Sequence, residues 1–138
     1  MPPKMVTVEV PVKVKDVTVS EIKDVDSKYK DSVPKLIKPL FETGLAKIKV
    51  EIPNGKKLGA LAVGVGISIM RTDKGLYLSL EIAPSEGNFM LGRVHAGTTV
   101  ALDKGVDPDD GDVKAAGLDA TKKGIAAAIA GFKIQAKK

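Results

Sequence analysis

The chain has 138 residues, no cysteine and a formal net charge of +5, with 28% charged but only 4% aromatic side chains. That length suits one domain with its own core, and the lack of cysteine removes disulfide frameworks, thiolate metal sites and cysteine nucleophiles. Nearly all the positive charge is Lys, with Arg only at 71 and 93, so bidentate recognition of phosphates and bases has few carriers.

The aromatics are Tyr29, Phe41, Tyr77, Phe89 and Phe132, too few for a platform on which single-stranded bases stack. The start, Met1-Pro2-Pro3-Lys4, runs into alternating Val and polar residues. No export signal is therefore expected, and the protein is expected to be cytoplasmic or part of an intracellularly assembled particle. The longest weakly polar run, 124–132, falls far short of the roughly 20 apolar residues of a membrane-spanning helix.

From Val6 to Val14 every second residue is Val, the period-2 signature of a strand buried on one face. Pro11 argues for an edge position, and the slip at Asp16, before Val17 and Val19 restore the alternation, predicts a β-bulge or tight turn. N-terminal strands are thus expected over 1–26. Ser32-Val33-Pro34 reads as a cap and first turn, with Leu36, Ile37, Leu40 and Phe41 on one face of a helix over 32–43. Pro39 is expected to kink this helix or to limit it to about two turns.

Residues 45–103 read as a four-stranded antiparallel meander. The alternating segment 45–52 is followed by Asn54-Gly55, a strong hairpin signal, which predicts Ile48 opposite Leu61, Ala46 opposite Val63 and Val50 opposite Gly59. The next strand divides into a large face (Leu61, Val63, Val65, Ile67, Ile69) and a small one (Ala60, Ala62, Gly64, Gly66, Ser68). A turn over 71–75 leads to Leu76, Leu78, Leu80 and Ile82. After 83–88 comes a last long strand, with Met90, Val94, Ala96, Val100 and Leu102 inward and Phe89, Leu91, Arg93, His95 and Thr99 outward. Glycines at 59, 64 and 66 favour a strongly curved sheet. The expected fold is α+β, a single domain with a mainly antiparallel barrel-like or sandwich sheet and two helices.

An acidic loop over 104–112 precedes a C-terminal helix expected over 113–135. Gly117, Gly124 and Gly131 recur every seven residues beside Leu118, Ile125 and Phe132. Each Gly costs about 1 kcal/mol of helix propensity, so three in register predict close packing, either on the small strand face from Ala60 to Ser68 or on a neighbouring subunit. In the loop, Asp107, Asp109 and Asp112 suggest a calcium site, but an EF-hand loop starting at Asp107 would require a carboxylate where Leu118 stands. Helix capping by Asp110 or Asp112 is the preferred reading.

His95 and Arg93 are expected on the outward sheet face beside Tyr77, Ser79 and Glu81. The cluster Tyr77, Glu81, Arg93 and His95 could in principle serve acid–base chemistry or a partner surface, though cross-strand pairing on a solvated face explains the same residues. No nucleophile elbow, HExxH, Walker A or dinucleotide fingerprint is present, so no cofactor is expected. Lys35, Lys38, Lys47, Lys49, Lys122, Lys123, Lys133, Lys137 and Lys138 could form a basic patch, but protection against aggregation is the preferred reading.

No catalytic motif stands out, and the first expectation is a non-enzymatic structural or assembly protein, a homo-oligomer or a protein–protein interaction module. A binding module for a lipid or other apolar ligand is the alternative. A nucleic-acid binder or small enzyme using the Arg93 and His95 face comes third.

Overall fold

The computed structural model describes residues 4–87 and 89–132, and the backbone alone of 134–137. In chain order the elements are β1 (Met5–Lys23), α1 (Tyr29–Gly44), β2 (Lys47–Pro53), β3 (Leu61–Thr72), β4 (Gly75–Ser85), β5 (Phe89–Leu91), β6 (Val94–Ala101), α2 (Asp110–Gly131) and β7 (Ile134–Lys137). Five strands form one mixed, curled sheet in the order β2-β1-β3-β4-β6, and β5 pairs with β7 in a small second sheet. The fold is α+β.

The sheet is organised by the length of β1. Its first half pairs antiparallel with β2, placing Val10 opposite Ile48 and Val8 opposite Val50. Its second half pairs parallel with β3, from Val12 opposite Leu61 onward. The expected hairpin between β2 and β3 does not form, and the four-stranded meander reduces to β3, β4 and β6. Asn54-Gly55 does make a tight turn, with Lys56 donating to the Pro53 carbonyl and Gly55 at φ +86. However, Asn54 donates back to Lys4, so β2 is held on β1. The alternating Val face of β1 buries the Ile48, Val50 and Ile52 face as fully as β3 would, and turn chemistry alone cannot outweigh a complete ladder.

Pro11 fits this arrangement. Val12 donates to the Ala46 carbonyl at 2.9 Å, so even-numbered residues of this half point their backbone groups at β2 and the Pro11 nitrogen faces the other way. There the ladder with β3 has not yet begun. Thus β1 is an interior strand of the sheet but a local edge at Pro11. Register shifts fall between Val14 and Asp16 and between Val19 and Glu21, so the sequence slip at Asp16 is a bulge, and a second follows at Ser20.

Helix α1 begins at Tyr29, three residues before the expected cap at Ser32, and continues through both Pro34 and Pro39 to Gly44. Tyr29, Val33, Ile37 and Phe41 form its buried stripe. The missing proline N–H groups leave the carbonyls of Lys30 and Lys35 without helical partners. Both residues are exposed, so water can donate to those carbonyls, and the buried stripe holds the helix together.

Helix α2 starts at Asp110. Its cap is Asp109, not Asp110 or Asp112: Asp109 Oδ1 accepts from Asp112 N at 2.8 Å, and Asp112 Oδ2 accepts from Asp109 N at 2.9 Å. This reciprocal capping box satisfies two backbone donors at once. The helix ends at Gly131, short of the expected 135, and residues 134–137 form β7.

Both helices cover the large-residue face. Ile67, Ile69, Leu76, Leu78, Leu80 and Ile82 are all essentially buried there, each contributing about 1.5–3 kcal/mol by leaving water. The α2 glycines do not lie against the small strand face: Gly124 sits on this layer, Gly117 on α1 and Gly131 on β6. A Cβ on Gly124 would meet Ile82, Leu80 and Phe41, one on Gly117 would meet Leu36 and Ile37, and one on Gly131 would meet Val94. Phe132 is buried, Ile125 is half-buried against Gly44, and Leu118 is 40% exposed.

The expected last strand is broken. Phe89 and Leu91 are buried and Met90 is 52% exposed, the reverse of the expected alternation, because β5 belongs to the sheet with β7 and the break at 92–93 resets the parity. From Val94 onward the expected faces are observed, with Val94, Val100 and Leu102 packed on the core.

Candidate functional site

The face of the sheet away from the helices carries the residues singled out above. The register aligns Thr18, Gly66, Glu81 and His95 in one cross-strand row, and Ser68, Ser79 and Gly97 in the next. Met70, Tyr77 and Thr99 follow. Short side chains on β3 leave a trough between higher walls. One depression of about 340 Å³ is bordered by Ser20, Gly66, Tyr77, Glu81 and His95. A second, of about 680 Å³, lies beside Lys15, Asp16, Gly64, Ala83, Met90 and Arg93.

Of the four expected residues, Glu81, Arg93 and His95 are brought together. Glu81 faces His95 across the β4–β6 ladder, and Arg93 Nη1 lies 2.5 Å from Glu81 Oε1. With side-chain exposures of 66% and 42%, such an ion pair contributes at most about 1 kcal/mol. Tyr77 borders the same depression but pairs with Thr99, and its ring covers Gly97. Ser20, exposed by its bulge, donates to the Ile67 carbonyl at 3.2 Å. The face thus offers an exposed imidazole, a carboxylate paired with Arg93 and short hydroxyls above accessible backbone.

Ser79 lies on this face as expected, opposite Gly97, whereas Lys15, Ser20 and Gly97 were not singled out from the sequence as members of it. For Lys15 and Ser20 the only signal was the slip at Asp16, since their positions depend on two bulges and a parallel pairing, while Gly97 shares the parity of His95 and Thr99 on β6.

Both arginines are engaged within the chain. Arg93 holds Glu81, while Arg71 donates to the carbonyls of Thr72, Asp103 and Val106, pinning the loop after β6. Lys35 and Lys38 are exposed on α1, Lys47 and Lys49 on β2, and Lys122 and Lys123 on α2. Lys133, Lys137 and Lys138 lie outside the residues whose side chains are described. Asp109 and Asp112 are the capping pair, and no group of three or more His, Asp or Glu suited to a metal is found among the described residues. No helix among them is long and apolar enough to cross a membrane.

Two further features lie on the helical side. Tyr29 donates to Asp110 Oδ1 at 2.7 Å, with Lys28 Nζ at 3.3 Å from the same oxygen. That hydrogen bond, helped by burial, raises the Tyr29 phenol above its ordinary range. The same bond and Lys28 hold the Asp110 carboxyl low. Farther along, a shallow apolar groove of about 410 Å³ runs between α1 and α2 past Leu40, Gly44, Leu118 and Ile125.

No protein-family model matches the chain, and no curated protein matches it.

Proposed function

We propose that the chain is a non-enzymatic, self-associating subunit that works through the uncovered side and free edge of its sheet. The observation that carries this reading is the pair Gly64 and Gly66. Neither has a positive φ, and a Cβ on Gly64 would meet nothing within 4 Å, one on Gly66 only Ser20 Oγ at 3.9 Å. A glycine inside a strand costs about 0.5–1 kcal/mol, and among the described residues neither turn geometry nor packing demands one at these positions. Close approach of another molecule to the β3 backbone supplies the missing reason.

Replacing both glycines by Thr tests the reading, because Thr suits a strand and has room here. The double variant is expected to be at least as stable as the parent and to lose self-association, measured by light scattering after size exclusion over a range of concentration. Unchanged association of the variant, or a parent that stays monomeric at high concentration, would overturn the proposal.

The groove past Leu40, Leu118 and Ile125 favours a second reading, in which an apolar ligand with an anionic head lies between the helices with Lys122 at its rim. A rise in melting temperature on adding a long-chain fatty acid supports it, and no change removes it.

A further inference from the structure

We propose that β6 is the seam between two copies of this chain, the two β6 strands pairing antiparallel about a two-fold axis at Thr98 so that two five-stranded sheets become continuous. This rests on the self-association proposed above and adds to the approach at β3 a second contact, at the sheet edge beyond β4.

Strand β6 is the last in the sheet order. Leu102 donates to the Lys74 carbonyl beside the Gly75–Ala101 pair, so the even-numbered residues of β6 bond to β4. The backbone groups of His95, Gly97, Thr99 and Ala101 then face outward, and no strand takes them among the described residues.

The two edges of the sheet differ in chemistry. Strand β2 carries exposed Lys47, Lys49 and Glu51 and ends on Pro53, the usual protection against edge-to-edge pairing. Strand β6 reads Val-His-Ala-Gly-Thr-Thr-Val-Ala, without Lys, Asp, Glu or Pro, and its register on β4 has no bulge. It is a regular edge with no guard against addition of a strand.

The occupant follows from self-complementarity. A two-fold keeps outer residues opposite outer residues only when it centres on a residue, and centring on Thr98 matches every position. Val94 then faces Leu102 of the second copy, Ala96 faces Val100, and Thr98 faces its own copy. Just beyond the two ends of β6, Arg93 of each copy faces Asp103 of the other. Both are exposed, and the Arg93 guanidinium has further N–H groups for Asp103 of the second copy while it keeps Glu81. Centring on Gly97 instead would set Arg93 opposite Ala101 and forfeit both charge pairs. Opposite charges are favourable across a ladder, so the Arg93–Asp103 pairs select the Thr98 register, while the Thr98 hydroxyl stays with Asp119 of its own α2. The edge alone covers less than the roughly 800 Å² per partner of a stable interface, so the pairing is concentration-dependent.

The chain has no cysteine, so one introduced thiol reports without background. Because Thr98 bonds to β4, the pair with its copy is non-hydrogen-bonded, with Cα atoms about 4.5 Å apart, within reach of a disulfide. Thr98→Cys under copper–phenanthroline is expected to cross-link most of the protein as a dimer, while Lys49→Cys on the β2 edge does not. Thr99→Pro, which removes an outward N–H and leaves the β4 ladder intact, is expected to weaken association at least tenfold with melting temperature little changed. Asp103→Arg is expected to weaken it about fivefold, and adding Arg93→Asp to restore it. If Thr98→Cys cross-links no better than Lys49→Cys, or Thr99→Pro associates like the parent, the seam is wrong and self-association survives elsewhere. Preferential cross-linking of Gly97→Cys would overturn the register, and a monomeric parent at all concentrations would remove both proposals.

Discussion

Tyr77 reaches diagonally across the sheet to cover Gly97, its hydroxyl oxygen 2.9 Å from the point where a Cβ of residue 97 would stand. The ring shields glycine backbone on the strand that forms the sheet edge and makes one wall of the trough. Tyr77→Ala is therefore expected to destabilise the fold by about 1 kcal/mol, as cross-strand pairs do. Gly97→Ala should push the ring aside. In a Tyr29→Phe background Tyr77 is the sole tyrosine, and iodide should quench its fluorescence more strongly after Gly97→Ala. Unchanged quenching would show that the ring does not rest there.

Gly75 closes the turn between β3 and β4 with φ +149, and a Cβ there would lie 2.0 Å from the Val100 carbonyl oxygen. Strain and a backbone clash act together, and Gly75→Ala should cost about 3 kcal/mol or more. Gly55, also at positive φ but with open space around it, should lose only about 1 kcal/mol on the same change. Denaturant unfolding of the two variants gives the comparison, and equal losses would refute this account of the turn.

The hydrogen bond from Tyr29 to Asp110 joins the first turns of the two helices, and its pH dependence has two limits. The Tyr29 phenol is raised in the fold by the Asp110 hydrogen bond and by burial, so its contribution is intact below the unfolded value near 10 and lost as pH rises through the folded one. Asp110 is lowered by the bonds from Tyr29 and Lys28. Its contribution is intact above the unfolded value near 4 and lost as pH falls through the folded one. Tyr29→Phe should weaken both the alkaline and the acid fall in melting temperature. A variant whose pH profile parallels the parent would show that the bond does not couple the helices.

Thr121 lies in α2 with its hydroxyl buried and without a hydrogen-bond partner among the described residues. A buried unsatisfied polar group costs about 1–3 kcal/mol, so Thr121→Val should raise stability by about 1 kcal/mol, read from urea unfolding. A loss instead would show that the hydroxyl has a partner, such as a water in the groove beside it.

The strands were legible because their periodicity is local. The Val alternation from Val6, the division of 61–69 into large and small faces and the turn before Gly75 all survive in the fold. The candidate cluster was legible to the same extent, since Glu81 on β4, His95 on β6 and Arg93 just before β6 come together in a local antiparallel pairing. Partner choice was hidden where two strands could satisfy the same apolar face. Ile48, Val50 and Ile52 match either β1 or β3, and Asn54-Gly55 pointed to the wrong one. The helix starts were misplaced because the first turn of α1 is fixed by Tyr29 reaching a residue 81 positions away.

The sequence by itself determined the α+β class, the faces of β3 and β4, the bulge near Asp16 and the acidic cap region of α2. All of these arise from residue spacing and local hydrogen bonding. Only the tertiary structure decided that β1 is shared end to end between β2 and β3, that both helices take the large-residue face, and that β6 is left as an edge. Those outcomes depend on which of several equivalent apolar surfaces meet, and burial is non-directional. The packing of the whole chain is what chooses among them.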